Sequence, residues 1–555
     1  MSEESRIHKL LGSTSAYFQR HSVLYYVLGT SILLIAGLKW AWNLRDNMDI
    51  TFGDEAQYLR YGLDLFLTIK TDWGPSYNVW YKCLSFFRSS TVDLFYLNQQ
   101  VTAIALGVTL FVFLMRYKIS FVISLWISFC FLFSTTVIDT WPRVSHFAII
   151  VLLITLTLIK NIASKPKYML WTTLAFYIAA YARPELFIAF LLISIITAHA
   201  LFIERKNIKD WLPTFLFIAV ILIINFIIYQ LPANSYKGIN RTYIAFSQHY
   251  AINYVIENKA SFNPISEWIA FAHQTFGDCT NFFCILKTHP SLVIHNTILN
   301  IQRYVLTLFQ FSIDILIPVK IIGSKKLQLL VIIGLPGCLI YILNNKTARA
   351  KLFQQLRDHQ LLLFILLLFG LPSIGASIVI FPRQHYLLMH SILIILCIAI
   401  LFNSIAVISK INPLIVGLLF IPILIKAPTA NKYLYNQLES DNKNHCNKRL
   451  TEYLSSTKDK DRHVIFSNHL SLSMMLPSNF SDFNTEYEYQ PGMKFSNVLK
   501  EKKIDYVVVR DILIKEKLLN SDTSWINFIK SPQAYNFKKK IYCDSCSSYL
   551  LVKAN

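Results

Sequence analysis

Charged residues are scarce in this sequence. Asp, Glu, Lys and Arg make up 15% of the 555 residues, whereas a soluble protein has about 25%. Hydrophobic residues account for 54% of the chain, and its mean hydropathy is +0.43. This composition excludes an ordinary soluble protein and predicts a polytopic α-helical membrane protein with a soluble part attached.

Acidic residues are rarer still, at 32 against 53 Lys and Arg, and most of the positive excess lies in the first 427 residues. Short positive cytoplasmic loops produce such a bias. No basic module interleaved with aromatic residues is present, so we expect no nucleic-acid partner. Residues 1–22 lack a small-residue cleavage site. We interpret them as a cytoplasmic tail before an uncleaved first span.

Cysteines are few and support no zinc site, because no second CxxC or spaced histidine pair accompanies Cys543-Asp-Ser-Cys546. Cys279 and Cys284 lie in a segment that we place outside the membrane, as does the Cys543/Cys546 pair. A disulfide is permitted there. For Cys543 and Cys546 we expect a turn-closing disulfide or two free thiols.

Eleven apolar runs are long enough, or nearly so, to cross a bilayer. They are 23–43, 99–115, 119–137, 145–162, 168–182, 186–203, 211–230, 327–344, 360–381, 386–402 and 411–427. No internal repeat or low-complexity segment is visible.

The run 303–322 is ambiguous because it carries Asp314, Pro318 and Lys320. If it crossed, the basic loop 346–357 would lie outside, against the positive-inside pattern. We therefore expect 303–322 to lie along the outer interface. This interpretation gives about eleven spans and an external C-terminus.

The same interpretation divides the chain into two domains. Residues 1–427 form a transmembrane domain with external loops 44–98, 138–144 and 231–326. Residues 428–555 form a small external α/β domain, helix-like at 431–457. Its expected strands are His463–Ser467, Asp505–Val509, Lys539–Tyr542 and Ser548–Val552.

Charged residues mark four separate external corners. They are Asp54/Glu55, Asp139/Arg143, Arg183/Glu185 and Arg383/His385. Each alone has a structural explanation, such as a helix terminus or a headgroup contact. Together at the membrane edge they indicate a site. They suit a lipid-linked sugar donor, because arginines bind and stabilise a phosphate leaving group and a carboxylate deprotonates the acceptor.

The motifs resemble the GT-C superfamily of integral-membrane glycosyltransferases, and most of all its protein O-mannosyltransferase and aminoarabinose-transferase branch. The likeness rests on Asp54-Glu55 after span one, on Gly74-Pro75-Ser76-Tyr77, and on an acidic residue, Asp139, in the next external turn. Arg183-Pro184-Glu185 is similar to a later corner of that branch. The last corner departs from the usual Arg-Tyr form, because Gln384-His385 separates Arg383 from Tyr386.

The resemblance implies inverting sugar transfer from a polyprenyl-phosphate donor to a lipid, glycan or protein acceptor. It makes Asp54 the base, with Glu55 and Asp139 as further catalytic candidates. The donor-phosphate candidates are Lys82, Arg183 and Arg383. The residues expected to line the substrate groove are Trp73, Tyr77, Trp80 and His385. A divalent metal ion is an open option, with Asp54, Glu55 and Asp139 as its ligands.

Two other classes stay open. A polysaccharide polymerase or ligase would use Arg and His in a large external loop, and 231–326 contains such residues. They are Arg241, His249, His273, His289 and Arg303. A transporter would place charges at the bilayer midplane, which the nearly charge-free spans do not favour. For location we expect the plasma or inner membrane of a bacterium, with the site and the C-terminal domain outside.

Overall fold

The computed structural model describes residues 22–66, 74–134, 136–138, 141–230, 235–236, 239–264, 267–317, 325–405, 412–430, 444–457, 461–490 and 492–554. The chain in these ranges is predominantly helical. The helices of the first 430 residues are Ser22–Ala41, Leu44–Asn47, Asp54–Leu63, Pro75–Leu84, Thr91–Arg116, Phe121–Leu132, Val144–Ile159, Lys165–Ala182, Phe187–Ile203, Ile208–Tyr229, Arg241–Asn258, Trp268–Phe276, Phe282–Thr288, Pro290–Leu316, Lys325–Asn344, Lys346–Asp358, Gln360–Val379, Gln384–Asn403 and Pro413–Lys426.

Several of these helices are apolar enough to cross a membrane, as the composition predicts. The six that are also long enough are Val23–Asn47, Thr91–Arg116, Pro184–Ile203, Arg205–Tyr229, Gln360–Val379 and Tyr386–Asn403. Shorter apolar helices are Phe121–Leu132, Val144–Ile159, Ile332–Asn344 and Pro413–Lys426. Each of the eleven apolar runs falls mainly within a helix.

Helix Thr91–Arg116 is central to the bundle, since it packs against Ser22–Ala41, Phe121–Leu132 and Val144–Ile159. The close approach of helices Ser22–Ala41 and Thr91–Arg116 depends on a glycine. A Cβ at Gly29 would lie 2.1 Å from the ring of Phe111. In a bilayer such van der Waals packing is a main source of helix association, because lipid is as apolar as leucine.

The described part of the run 303–322, as far as residue 317, ends helix Pro290–Leu316, which packs against Phe121–Leu132 and Gln360–Val379. Trp126 Nε1 donates a hydrogen bond to the carbonyl of Leu316 at 3.0 Å, and Asp314 is buried. Residues 303–316 therefore belong to a helix packed on the bundle, and their position at the outer interface stays a prediction. Pro318 and Lys320 lie outside the described residues.

The C-terminal domain contains a five-stranded mixed sheet in the order β4-β3-β5-β7-β6. The strands are β3 (His463–Ser467), β4 (Phe480–Asn484), β5 (Tyr506–Val509), β6 (Phe537–Lys540) and β7 (Tyr549–Lys553). A two-stranded ribbon, β1 (Ser235–Tyr236) with β2 (Ile239–Asn240), precedes them. The helices of the C-terminal domain are Cys446–Ser455, Thr485–Glu488, Phe495–Glu501, Asp511–Ile514, Lys517–Asn520 and Thr523–Lys530.

The α/β character of this domain agrees with the sequence, with two corrections. Strand β4 was not predicted: it carries alternate polar residues, yet it pairs in parallel with β3 and buries Phe480 and Phe483. Strand β6 ends at Lys540, two residues before the expected Tyr542. Of the expected helix 431–457, residues 446–455 are helical, and 431–443 lie outside the described residues.

Two disulfides are formed. Cys279 pairs with Cys284, and both pack in a cluster formed by residues of helices Arg241–Asn258, Trp268–Phe276, Phe282–Thr288 and Pro290–Leu316. Cys446 pairs with Cys546, with the two Cα atoms 5.7 Å apart. Our expectation for the CxxC motif was therefore wrong: Cys546 is bonded to a distant cysteine, and Cys543 is a buried free thiol. The fold brings position 446 to the motif, and sequence separation gives no sign of that.

Helix Cys446–Ser455, which we call the docking helix, attaches the C-terminal domain to the segment that follows the first apolar helix. The buried carboxylate of Asp49 accepts hydrogen bonds from the backbone N–H groups of Asn447 and Lys448, both at 2.8 Å. These are orphan donors at the start of the helix. A helix cap normally comes from the residue just before the helix. Asp49 has the same role for a helix that lies nearly 400 residues later in the chain.

Candidate functional site

The candidate site begins at the helix Asp54–Leu63, which we call the acidic helix. Gly53 precedes it with φ 142°, a backbone conformation that side chains disfavour. Asp54 is exposed at the first helical position, whereas Glu55 is only 5% exposed. Adjacent helical residues point about 100° apart. The two carboxylates therefore have different environments despite being neighbours in sequence.

Glu55 lies in a network of polar side chains. Tyr77 donates a hydrogen bond to its Oε1 at 2.7 Å, and the Tyr81 hydroxyl donates to the same oxygen. Asn98 Nδ2 also donates to it, at 3.0 Å. Trp80 Nε1 in turn donates to Asn98 Oδ1 at 2.7 Å. A buried carboxylate with such partners has a fixed orientation.

Burial raises the pKa of Glu55 from 4.5 to about 7. The hydrogen bonds from Tyr81 and Tyr77 oppose this shift, and so does the positive charge of Arg143. The loss of solvation on burial therefore outweighs the two hydrogen bonds and the arginine charge, which all stabilise the ionised carboxylate. Glu55 changes protonation near neutral pH, a property that is common at functional sites.

Arginines from four corners of the chain gather beside the acidic helix. They are Arg143, Arg183, Arg241 and Arg383. The charge of Asp54 stabilises the Arg383 guanidinium, which is also close enough to Arg143 to be destabilised by it. Arg183 acts on Arg383 in the same destabilising way. Like charges brought close together favour an anionic ligand.

Aromatic side chains complete this arginine cluster. Tyr58 lies in the fields of Arg183 and Arg241, and burial raises its pKa. The ring of Tyr386 lies 5.6 Å from the Arg183 guanidinium carbon, within cation–π range. Arg183 also donates through Nε to Glu185 at 2.6 Å. The Glu185 carboxylate thus orients the Arg183 side chain, and the Tyr386 ring lies beside the same guanidinium group.

Each of these arginines stands at the end of a helix. Arg143 and Arg383 precede Val144–Ile159 and Gln384–Asn403, and Arg183 follows Lys165–Ala182. Their position reflects the sequence directly, because a charged residue ends the apolar part of a membrane helix. Arg241 is the first residue of helix Arg241–Asn258, so all four arginines lie at helix ends.

His249 is a further candidate at this site that the carboxylate-centred hypothesis did not include. It is 2% exposed, and its Nδ1 lies 2.5 Å from the carbonyl of Ala245. Burial, helped by the charge of Arg383, lowers the pKa of His249 to about 3. The imidazole is therefore neutral near pH 7. Its Nε2 has no hydrogen-bond partner among the described residues, so that nitrogen is a buried acceptor near Arg383.

Some expected site residues have other positions. Lys82 Nζ donates to the carbonyl of Leu63 at 3.3 Å. This contact lies at the opposite end of the acidic helix, roughly 14 Å from Asp54 at 1.5 Å per residue. The structure therefore does not bring Lys82 to the arginine cluster.

Tyr77 and Trp80 belong to the Glu55 network. Tyr77 is 0% exposed, so its ring leaves no face for a sugar in this structure. Trp80 is partly buried, with its ring centroid 5.9 Å from that of Phe147. Both help to fix Glu55. Asn98, which connects Trp80 to Glu55, was not singled out in the sequence because it lies at the polar edge of an apolar run.

Three other predicted residues are not placed. Trp73 and Asp139 lie outside the described residues, as does the side chain of His385. Among the residues that the structure describes, Asp54 and Glu55 belong to no group of three or more metal-ligating side chains. The predicted metal site, which includes Asp139, therefore stays a prediction.

Comparison with models of protein families and with curated proteins gives no match. The function of the site must therefore be inferred from its own residues and their geometry.

Proposed function

We propose that this protein is a membrane glycosyltransferase that moves a sugar from a polyprenyl-phosphate donor to an acceptor on the outer face of the membrane. Transfer occurs with inversion, by direct attack of the acceptor on the anomeric carbon. The observation that carries this proposal is the convergence of Arg143, Arg183, Arg241 and Arg383 beside Asp54.

The charge balance of the cluster supports an anionic donor. Arg383 lies in the fields of Asp54, Arg143 and Arg183, and Arg183 also pairs with Glu185. Planar guanidinium groups pair well with phosphate oxygens. During transfer, negative charge grows on the departing lipid phosphate, and positioned arginines stabilise that charge more than they stabilise the bound donor.

Asp54 is the proposed base. It is exposed at the start of the acidic helix, whereas Glu55 makes hydrogen bonds to three side chains. Asp54 is thus the carboxylate with room to approach an acceptor hydroxyl or amine. The hydrogen bonds of Glu55 hold the acidic helix in place, and its negative charge adds to the electrostatic field at the site. This division of roles agrees with the GT-C resemblance of the first external segment.

The location of the charges also bears on the alternatives. The arginine cluster lies at helix ends, away from the middle of the apolar helices, which favours a transferase over a transporter. Arg241 and His249 lie in this same cluster, and both belong to the segment on which a polymerase or ligase would depend. That second candidate would take a lipid diphosphate donor.

The released lipid separates these two candidates. We would incubate the purified protein with sugars linked to polyprenyl monophosphate or to polyprenyl diphosphate and measure the free lipid product. The proposal expects release of polyprenyl monophosphate, lost in Arg383→Ala and kept in Arg205→Ala, an exposed arginine at another helix end. Activity only with diphosphate-linked donors would favour the ligase, and no activity with any donor would contradict both.

Topology needs a separate test. The proposal requires the acidic helix and the C-terminal domain to face the outside. A reporter enzyme active only outside the cytoplasm, fused after Asn555, should be active. A reporter that is active only in the cytoplasm should be silent at this position, and the reverse result would contradict the proposed side of the site.

A further inference from the structure

Three cysteine sulfurs lie together in the C-terminal domain, away from the arginine cluster. The sulfurs of Cys446, Cys543 and Cys546 are all within 4.8 Å of one another, and they form the only such group of three ligating side chains among the described residues. Cys446 and Cys546 form the disulfide, and Cys543 is the free thiol. A thiol beside a disulfide is the arrangement that thiol–disulfide exchange requires.

We propose that these three residues form a thiol–disulfide exchange site, in which Cys543 attacks Cys546 and displaces Cys446. The Cys543–Cys546 bond forms as the Cys446–Cys546 bond breaks. The proton lost by Cys543 is balanced by the proton that Cys446 takes up. No electrons are gained or lost overall, so the step needs neither oxidant nor reductant.

The backbone already holds the attacking and receiving sulfurs close. The N–H group of Cys546 donates to the carbonyl of Cys543 at 3.4 Å, which closes a turn over Asp544 and Ser545. The CxxC spacing permits a disulfide across that turn. Exchange therefore needs side-chain rotation more than movement of the main chain.

Arg449 supplies positive charge to the exchanging sulfurs. Its Nη1 donates to Cys543 Sγ at 3.2 Å. Arg449 also follows Cys446 by three residues on the docking helix, and side chains at that spacing are neighbours on a helix surface. One guanidinium is thus positioned to offset negative charge on the attacking sulfur and on the displaced sulfur.

Exchange would alter how the C-terminal domain is held together. In the resting pairing, the disulfide ties the start of the docking helix to the segment between β6 and β7. In the exchanged pairing this tie is absent, which leaves hydrogen bonds such as those from Asn447 and Lys448 to Asp49 and from Asn444 Nδ2 to the carbonyl of Ser545. The proposed chemistry therefore acts on the connection between the two domains, independently of sugar transfer.

Disulfide mapping tests the proposal directly. The full-length protein would be incubated at pH 8 with a low concentration of reduced glutathione, quenched in acid, alkylated and digested. We expect Cys543–Cys546 peptides to appear beside Cys446–Cys546 peptides. The Cys279–Cys284 disulfide is an internal control, since it belongs to no such three-residue group among the described residues, and its pairing should not change.

Two variants sharpen the result. In Cys446→Ser, incubated with oxidised glutathione in place of the reduced form, Cys543 and Cys546 should pair with each other, whereas recovery of both as free thiols would overturn the proposal. In Cys543→Ser, only the Cys446–Cys546 disulfide should be found. If the wild-type protein keeps Cys543 quantitatively free throughout the incubation, the proposal is wrong. Stoichiometric zinc bound to the three reduced cysteines would also overturn it.

Discussion

Asp49 and Glu55 are two buried carboxylates of the segment that follows the first apolar helix, and they have different partners. Burial raises the pKa of each from its ordinary value to about 7. Asp49 accepts backbone N–H groups from the C-terminal domain, whereas Glu55 accepts hydroxyl and amide groups from neighbouring helices. The first interaction joins two domains, and the second organises a candidate active site. Similar burial therefore does not imply a similar role, because the partners decide it.

The largest expected effect is on transfer activity, and it should arise at the candidate site without changing the contact between the two domains. Asp54→Asn keeps the shape of the side chain and removes the proposed proton acceptor. Transfer should fall roughly 100-fold or more, since general base catalysis contributes that much. The rate of lipid-phosphate release measures this loss, while donor binding and the hydrogen exchange of the docking helix should stay nearly unchanged.

Asp64→Asn is the matched control, because Asp64 follows the other end of the acidic helix and lies 3.8 Å from Arg60. Its activity should be close to normal. If Glu55→Gln or Asp139→Asn abolishes transfer while Asp54→Asn does not, the base is that other residue. If none of the three substitutions slows transfer, the transferase proposal loses its central residue.

The next effect concerns the donor. Arg183→Ala and Arg383→Ala should each weaken donor binding by ~1.5–3 kcal/mol, the value of one charged hydrogen bond. That loss corresponds to roughly a 10- to 150-fold higher Kd. A binding assay with a labelled polyprenyl-phosphate sugar measures it, with Arg205→Ala as control. Unchanged affinity in both variants would reduce these arginines to contacts with lipid headgroups.

The pH dependence of stability distinguishes Glu55 from an exposed carboxylate. Its pKa is raised on folding from 4.5 to about 7. Its stabilising contribution is therefore complete below pH 4.5 and is lost as the pH rises through 7. Between pH 5 and 7 the wild-type protein should lose about 2 kcal/mol of stability relative to Glu55→Gln, from about 1.4 kcal/mol per pKa unit. Thermal unfolding in detergent measures the difference.

Glu501→Gln, an exposed position in the C-terminal domain, should show the same pH dependence as the wild-type protein. Asp49 titrates in the same direction as Glu55 in all three proteins, so its contribution cancels. A Glu55→Gln variant that follows the wild-type curve would mean that Glu55 titrates normally.

The smallest expected effect is at the domain joint. Asp49→Ala removes the cap of the docking helix, which should cost about 1 kcal/mol. Amides of the docking helix should then exchange roughly fivefold faster, with transfer activity less affected than in the arginine variants. Asp46→Ala, at an exposed neighbouring position, is the control. Equal exchange in both variants would show that Asp49 does not hold the two domains together.

The sequence was most informative where one physical property dominates. Apolar length predicted the helices of the bundle, because a membrane span must satisfy its backbone internally. The charged residues at helix ends predicted Arg183, Arg383 and Asp54 as neighbours of one site; Arg383 lies in the fields of both Asp54 and Arg183, and the site itself stays a prediction. The position of run 303–322 at the outer interface stays a prediction, and its Asp314 is buried against the rest of the protein.

Long-range contacts were decided only by the tertiary structure. Hydrophobicity and charge are local properties, so the membrane character, the apolar helices and the α/β nature of the tail were determined by the sequence alone. The capping of the docking helix by Asp49, the pairing of Cys446 with Cys546 and the network around Glu55 depend on which distant surfaces fit together. Neither spacing nor composition encodes that fit, because it results from close packing of whole elements.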